Sequence, residues 1–153
     1  MQNKKPTALT IAKYFLSISD KEEGELISNL KLQKLLYYAQ GYYVALNGAS
    51  NPLYNDTIYA WKHGPVVNKV FHYYKECGNN ALPDEKCPKN LSEDHIYFLN
   101  EIYRSYGRFS AWVLRDMTHR EEPWLEHYKP NIKNIVIPLE DLEKFFKDKI
   151  ELV

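Results

Sequence analysis

One helix constrains this fold more than any other feature. The stretch NLKLQKLLYYAQGYYVAL, Asn29 to Leu46, is apolar on two sides. Leu32, Leu35, Leu36, Ala39, Tyr43 and Leu46 recur at spacings of three and four and form one stripe. Leu30, Tyr37 and Val44 recur every seven residues on the opposite side, with Gly41 beside them. A helix of this kind is buried on both sides, or it buries one and presents the other to a partner. Ser28 or Asn29 supplies the N-cap and Asn47-Gly48 the stop. A glycine in a helix interior costs about 1 kcal/mol relative to alanine. Gly41 therefore predicts a close approach by a neighbouring element. The helix is expected at the centre of the domain.

The remaining periodicity supplies elements to surround it. Thr7 caps a first helix with Ala8, Ile11, Ala12, Phe15 and Leu16 at helical spacing, ending between Ser17 and Asp20. Thr57 to Lys62 carries Ile58, Tyr59 and Trp61 and reads as a strand. Gly64-Pro65 predicts the start of a third helix, because a proline at the first helical position gives up only an orphan N–H. Val67, Val70, Phe71 and Tyr74 form its apolar face, and Gly78 stops it. Asn79 to Leu91 lacks periodicity and reads as a loop. Ser92 caps a helix carrying Leu99, Ile102, Tyr103 and Tyr106, which Gly107 ends. Ser110 opens a shorter one with Trp112, Val113 and Met117. Thr118 and Glu121 fit a capping box, and Pro123 marks a turn or a fresh helix start. Ile135 to Ile137 is a short β-branched run, predicted to pair with the strand at Thr57 to Lys62. Leu139, Leu142, Phe146 and Ile150 mark a last helix. The expected fold class is mainly α: a compact single-domain helical bundle over residues 1–153 with a minimal two-stranded β element. The C-terminal strand and helix fall in 135–150.

Composition excludes several classes. The 153 residues make one ordinary domain, and 44% hydrophobic content is enough for a sizeable core. Lysine plus arginine equals aspartate plus glutamate, so the formal net charge is zero, and the lysines are spread along the chain. That argues against binding along a nucleic-acid backbone, which calls for a basic excess or stripe. No apolar run approaches the roughly 20 residues of a membrane span. The N-terminal MQNKKPTALTIAKYF is interrupted by Lys13 and has helical spacing, so it reads as mature, cytoplasmic chain rather than a leader. Cys77 and Cys87 match no metal spacing and read as free thiols, with a disulfide across the loop as the alternative.

Chemistry-bearing residues are sparse. His63, in AWKHGPVV, and His119, in MTHREEPW, each precede a proline-marked start, and Glu121 and Glu122 lie close to His119. Two imidazoles with a carboxylate could serve general acid–base chemistry, which makes a small His-dependent hydrolase or transferase the alternative reading. The bland reading is that turn histidines bond backbone or cap helices. His63, His72, His95, His119, His127 and Cys77 fit no standard metal spacing, so neither metal nor cofactor is expected. His72 reads as solvated and His95 as partly buried. The N–H groups of Val66 and Val67 would make a weak anion site if Pro65 opened a helix. A helix-turn-helix finds thin support in Asn68, Lys69 and His72.

Aromatic residues are better supplied. There are thirteen tyrosines, and Trp61, Trp112 and Trp124 all fall near helix ends and turns. Tyr37-Tyr38, Tyr42-Tyr43 and Tyr73-Tyr74 cannot each turn both rings to one core, because helix neighbours point about 100° apart. Surface tyrosine and tryptophan are favoured anchors of protein–protein binding.

Three blocks together are similar to a known family. NLKLQKLLYYAQGYYVAL (Asn29–Leu46), PLYNDTIYAWKHGPVV (Pro52–Val67) and YGRFSAWVLRDMTHREEPW (Tyr106–Trp124) resemble, in order and spacing, the Panacea domain. This is the domain of SocA-like antitoxins and of GepA-like phage-associated proteins, and the resemblance is strongest over residues 7–128. It implies a compact helical domain in a toxin–antitoxin system or prophage. It implies a non-enzymatic role, neutralising a cognate toxin by direct contact in the cytoplasm. For the SocA-type member it further implies delivery of the toxin to the ClpXP protease. Trp61, His63, Gly64, Pro65, Val66, His119, Pro123 and Trp124 fall in the matching blocks, and their expected role is to lock the turns that shape the binding surface. Tyr37 and Tyr38 are expected contact residues. No membrane and no nucleic-acid partner are expected. A phage-encoded protein that turns the same surface on a host target is a third reading.

Overall fold

A computed structural model describes residues 5–150. The four residues that open the N-terminal stretch, and the last three of the chain, lie outside it.

The central helix, α2 (Asn29–Asn47), is capped by Ser28, whose hydroxyl accepts from the Lys31 N–H, and ends at Gly48. Every residue from Lys31 to Gly41 is buried. Around it stand α1 (Ala8–Ile18), β1 (Ile58–Trp61), β2 (Gly64–Val67), α3 (Asn68–Tyr73), α4 (Glu93–Tyr106), α5 (Ala111–Thr118), α6 (Glu122–Leu125), β3 (Ile135–Val136) and α7 (Leu139–Lys147). Thr7, Ser92 and Ser110 cap α1, α4 and α5 through their hydroxyls, as the sequence predicts. α2 touches α1, α3, α4, α5, α7 and β2.

Gly41 is where α7 comes closest. A Cβ on Gly41 would lie 2.2 Å from the Phe146 ring. Phe146 packs edge-on against Tyr37 and Tyr38, with centroids at 5.5 and 6.0 Å. Tyr38 stacks on Tyr106 at 4.0 Å, which ties α4 to the same cluster. The C-terminal end of the predicted stripe departs from expectation: Tyr43 is half-buried and Leu46 is 59% exposed.

The sheet is larger than the two strands predicted. Its order is β2-β1-β3, all antiparallel. β1 pairs with β3 through Tyr59↔Val136 and Ala60↔Ile135, as expected. The extra strand is β2, where a helix start was predicted. Pro65 pairs with Ala60 inside a hairpin, and the helix begins at Asn68. The turn is Lys62-His63, with Trp61 opposite Gly64. Two-residue hairpins normally advertise themselves by Asn-Gly or Asp-Gly at the turn. Here the left-handed position falls on Gly64, just after it, at φ +113°. With β-branched Val66 and Val67 following, the segment extends instead of coiling.

The outer edge of β2 is sealed by polar side chains from α2. The Val67 N–H donates to Gln33 Oε1 at 2.9 Å, and Lys34 Nζ donates to the Pro65 carbonyl at 3.0 Å. The predicted anion site at Val66 and Val67 is therefore absent, because no helix starts there and Gln33 takes the Val67 donor. The capping box between Thr118 and Glu121 does not form either. The Thr118 hydroxyl donates to the Arg115 carbonyl, and the Glu121 carboxylate is held elsewhere. Pro123 does open a new short helix.

Candidate functional site

The predicted motif residues converge where the β1–β2 hairpin meets the α5–α6 joint. Trp124 Nε1 donates to the Trp61 carbonyl at 2.7 Å, pinning α6 to the end of β1. His119 stacks on Trp124 at 4.0 Å with planes 6° apart, and Trp124 stacks on Tyr128 at 4.7 Å. Pro123 starts the helix that holds Trp124 in this stack. Gly64 is required twice over. Its φ is left-handed, and a Cβ would lie 2.7 Å from Lys34 Cε and 2.8 Å from Thr118 Oγ1. Pro65 and Val66 are buried in β2.

His63 is exposed at the turn. Its Nδ1 accepts from Arg115 Nε at 3.1 Å, and its ring stands edge-on to Trp112 at 5.9 Å. Arg115 also lies over Trp112 at 5.1 Å and bonds Asp116 at 3.1 Å. An Nδ1 that accepts carries a lone pair, so the neutral ring keeps its hydrogen on Nε2. Desolvation, then Arg115, Lys62 and Lys34, hold the His63 pKa below its ordinary value. His119 is lowered by desolvation first and then by Arg115 and Lys34. Its Nε2 is buried without a partner. Among the described residues neither ring is hydrogen-bonded to a carboxylate. The one lone pair of neutral His63 is thus occupied by a cation, which is poor provision for a general base.

Tyr37 and Tyr38, expected as contact residues, are both fully buried. Their hydroxyls each donate at 2.9 Å to one oxygen of Glu121. Burial pushes the Glu121 carboxyl up to about 7 against the opposing effect of these two bonds and of Lys149. The pair thus braces the α5–α6 joint from inside.

Sequence reasoning missed Lys34 and Arg115. Lys34 is 0% exposed, and burial, with Arg115 nearby, pushes its amine down to about 7. A lysine in a helix reads as a solvent-facing residue, and only the unpaired edge of β2 gives a reason to bury one. Arg115 was one of several scattered cations until the fold set it against His63. The other histidines lie apart: His72 is exposed, His95 is half-buried, and His127 bonds the Pro123 carbonyl and Asp141. No cluster of three or more potential metal ligands occurs among the described residues. Cys77 and Cys87 are free thiols. No helix among the described residues is long and apolar enough to cross a membrane.

Among the charged side chains of this joint, two apolar ones on α5 stay exposed. Trp112, against His63, is 59% exposed, and Val113, next on α5, is 44% exposed. The same α5–α6 segment closes the region that matches a family model. That model, Antitoxin SocA-like, Panacea domain, covers residues 32–125. The chain belongs to this family. Antitoxin SocA of Caulobacter vibrioides (strain NA1000 / CB15N) is 31% identical over 136 residues, spanning 80% of this chain and 71% of the relative. No solved structure matches the chain. The matched region of this Panacea domain runs from α2 to α6 and contains the elements that build the hairpin joint.

Proposed function

We propose that this Panacea domain is the antitoxin of a toxin–antitoxin system, and that it neutralises a cognate toxin by direct contact through the face around the Lys62-His63 turn. The observation that carries the reading is the exposed Trp112–Val113 pair. An exposed tryptophan beside an arginine has the make-up of a binding anchor, and Val113 adds apolar area next to it. They stand on a rigid base. Trp112 packs against the bonded His63–Arg115 pair, and the hairpin is tied to α6 by the Trp124 bond. The antitoxin relative supports the partner class. The occupied lone pair of His63 favours this reading over a His-dependent hydrolase or transferase. Trp61, Gly64, Pro65, Val66, His119, Pro123 and Trp124 shape the face, and Tyr37 and Tyr38 support it from within.

The test is growth on co-expression with the product of the adjacent gene in the cytoplasm of a bacterial host. The chain should restore growth that the partner arrests, and Trp112→Ala should reduce rescue while the protein still folds. Full rescue by Trp112→Ala, with the partner no longer bound, would overturn the reading. Masking and delivery to ClpXP separate by the toxin level: masking leaves it unchanged, and delivery lowers it only in cells that carry the protease.

A further inference from the structure

On the other side of the same turn lies a groove of about 550 Å³, formed between the end of β1, the start of α3 and the segment that leads into β3. Trp61, Tyr128 and Ile132 supply its apolar walls, and Lys62, Lys129 and Lys133 supply its charge. The chain as a whole is neutral, with as many acidic residues as basic. Yet no aspartate or glutamate lines this groove. All three lysines are exposed, and none forms an ion pair among the described residues. Lys62 is far in sequence from Lys129 and Lys133, so the three do not read as one basic patch. The fold gathers them. Ile132 is 53% exposed between them.

The walls are fixed. Trp61 Nε1 donates to Asn134 Oδ1 at 3.0 Å, and Trp61 packs edge-on with Phe71 at 5.2 Å. Asn131 and Asn134 hold left-handed backbone, at φ 71° and 58°, which turns the segment around Ile132 and Lys133. A preformed groove with an apolar floor and an uncompensated positive rim is complementary to an apolar side chain flanked by carboxylates.

We propose that this groove binds an acidic segment of a partner protein, with an aliphatic or aromatic side chain seated against Ile132 and Trp61 and its neighbouring carboxylates on Lys62, Lys129 and Lys133. The proposal rests on the reading of the chain as a toxin-binding module and names the chemistry of what it binds. Lys62 and His63 are the two residues of one turn, so the groove and the Trp112 face form a continuous surface. A single-stranded nucleic acid would also meet lysines and aromatic rings. It needs free ring faces for stacking, however, and one face of Tyr128 is covered by Trp124. The aliphatic Ile132 among the lysines favours a protein segment.

The test uses the full chain and a fluorescein-labelled peptide of aspartate and glutamate around a central Leu-Phe pair, read by fluorescence anisotropy. A lysine-for-acid peptide and oligodeoxythymidylate are the comparison arms. The acidic peptide should bind, and weaken about tenfold between low and physiological salt, since exposed charge pairs are screened. The triple variant Lys62→Glu, Lys129→Glu, Lys133→Glu should lose at least about tenfold in affinity. Ile132→Asp should weaken binding with the lysines untouched. These are exposed positions, and the circular dichroism spectrum and melting temperature of each variant confirm that it folds. No binding of the acidic peptide, equal binding by the triple variant, or tighter binding of oligodeoxythymidylate than of the peptide would each overturn the proposal. Growth rescue that persists without peptide binding sinks the groove and leaves the antitoxin reading standing. Peptide binding without rescue does the reverse.

Discussion

At the scale of single residues, the structure turns on small groups placed where larger or differently charged ones cannot fit. Gly41 was legible in the sequence, because a helix tolerates the cost of glycine only for a close approach. The neighbour is Phe146. Gly41→Ala should therefore destabilise the fold by about 1–3 kcal/mol in urea denaturation, although alanine is the better helix former. Equal or greater stability would mean that Phe146 moves aside without loss. Lys34 was not legible, since hydropathy periodicity treats every lysine as solvent-facing. Its pH signature follows from burial. In the fold its amine titrates near pH 7, and in the unfolded chain near 10.5. Between these values the unfolded state binds more protons, so the Lys34 contribution to stability rises with pH. Glu121 is opposite in sign. Its folded pKa of about 7 exceeds the ordinary 4.5, so its contribution is full below 4.5 and declines as pH rises towards 7. Lys34→Met should flatten the alkaline rise relative to the unmodified chain, and Glu121→Gln the acid-side decline, in denaturation measured across pH. Unchanged slopes would show that neither group is held as described.

At the scale of elements, the helices followed from caps and periodicity, and the hairpin did not. Thr7, Ser28, Ser92 and Ser110 each accept the backbone N–H that a capping residue should, so those boundaries could be read directly. The Gly64-Pro65 pair was ambiguous. Proline suits the first turn of a helix and also a strand where its missing N–H goes unused. What decides between them is the tertiary edge provided by Gln33 and Lys34, and local sequence carries no trace of it. The α5–α6 joint shows the same limit. Thr118 and Glu121 had the spacing of a capping box, but two buried tyrosine hydroxyls compete for the carboxylate and win. The bond from Trp124 to Trp61 links joint and hairpin. Trp124→Phe keeps an aromatic ring for the stack on His119 and Tyr128 but leaves the Trp61 carbonyl without its donor. It should cost about 1–3 kcal/mol. Hydrogen exchange should rise first in β1 and β2. A uniform rise across all helices would place the bond's effect on global stability instead.

At the scale of the molecule, a helix buried along most of its length leaves little of the chain free for anything but packing. The core draws on six of the flanking elements at once, and the surplus of aromatic residues is largely consumed there. Of the large apolar side chains left outside, Trp112 lies against the turn residue His63 and Ile132 lies in the lysine-rimmed groove; others, such as Tyr97 on α4 and Leu46 on α2, stand on other elements. The family resemblance was readable from the three blocks. The position of the proposed binding face was not, because it depends on which aromatics the fold keeps. Tyr37 and Tyr38 went inside, and Trp112 stayed out. The most direct measurement is isothermal titration of the purified chain with the purified product of the adjacent gene, the toxin of the proposed pair. The account predicts a saturable complex that Trp112→Ala weakens by about tenfold or more, the loss expected for a central aromatic anchor. Absence of a complex, or a complex indifferent to Trp112→Ala, would contradict it.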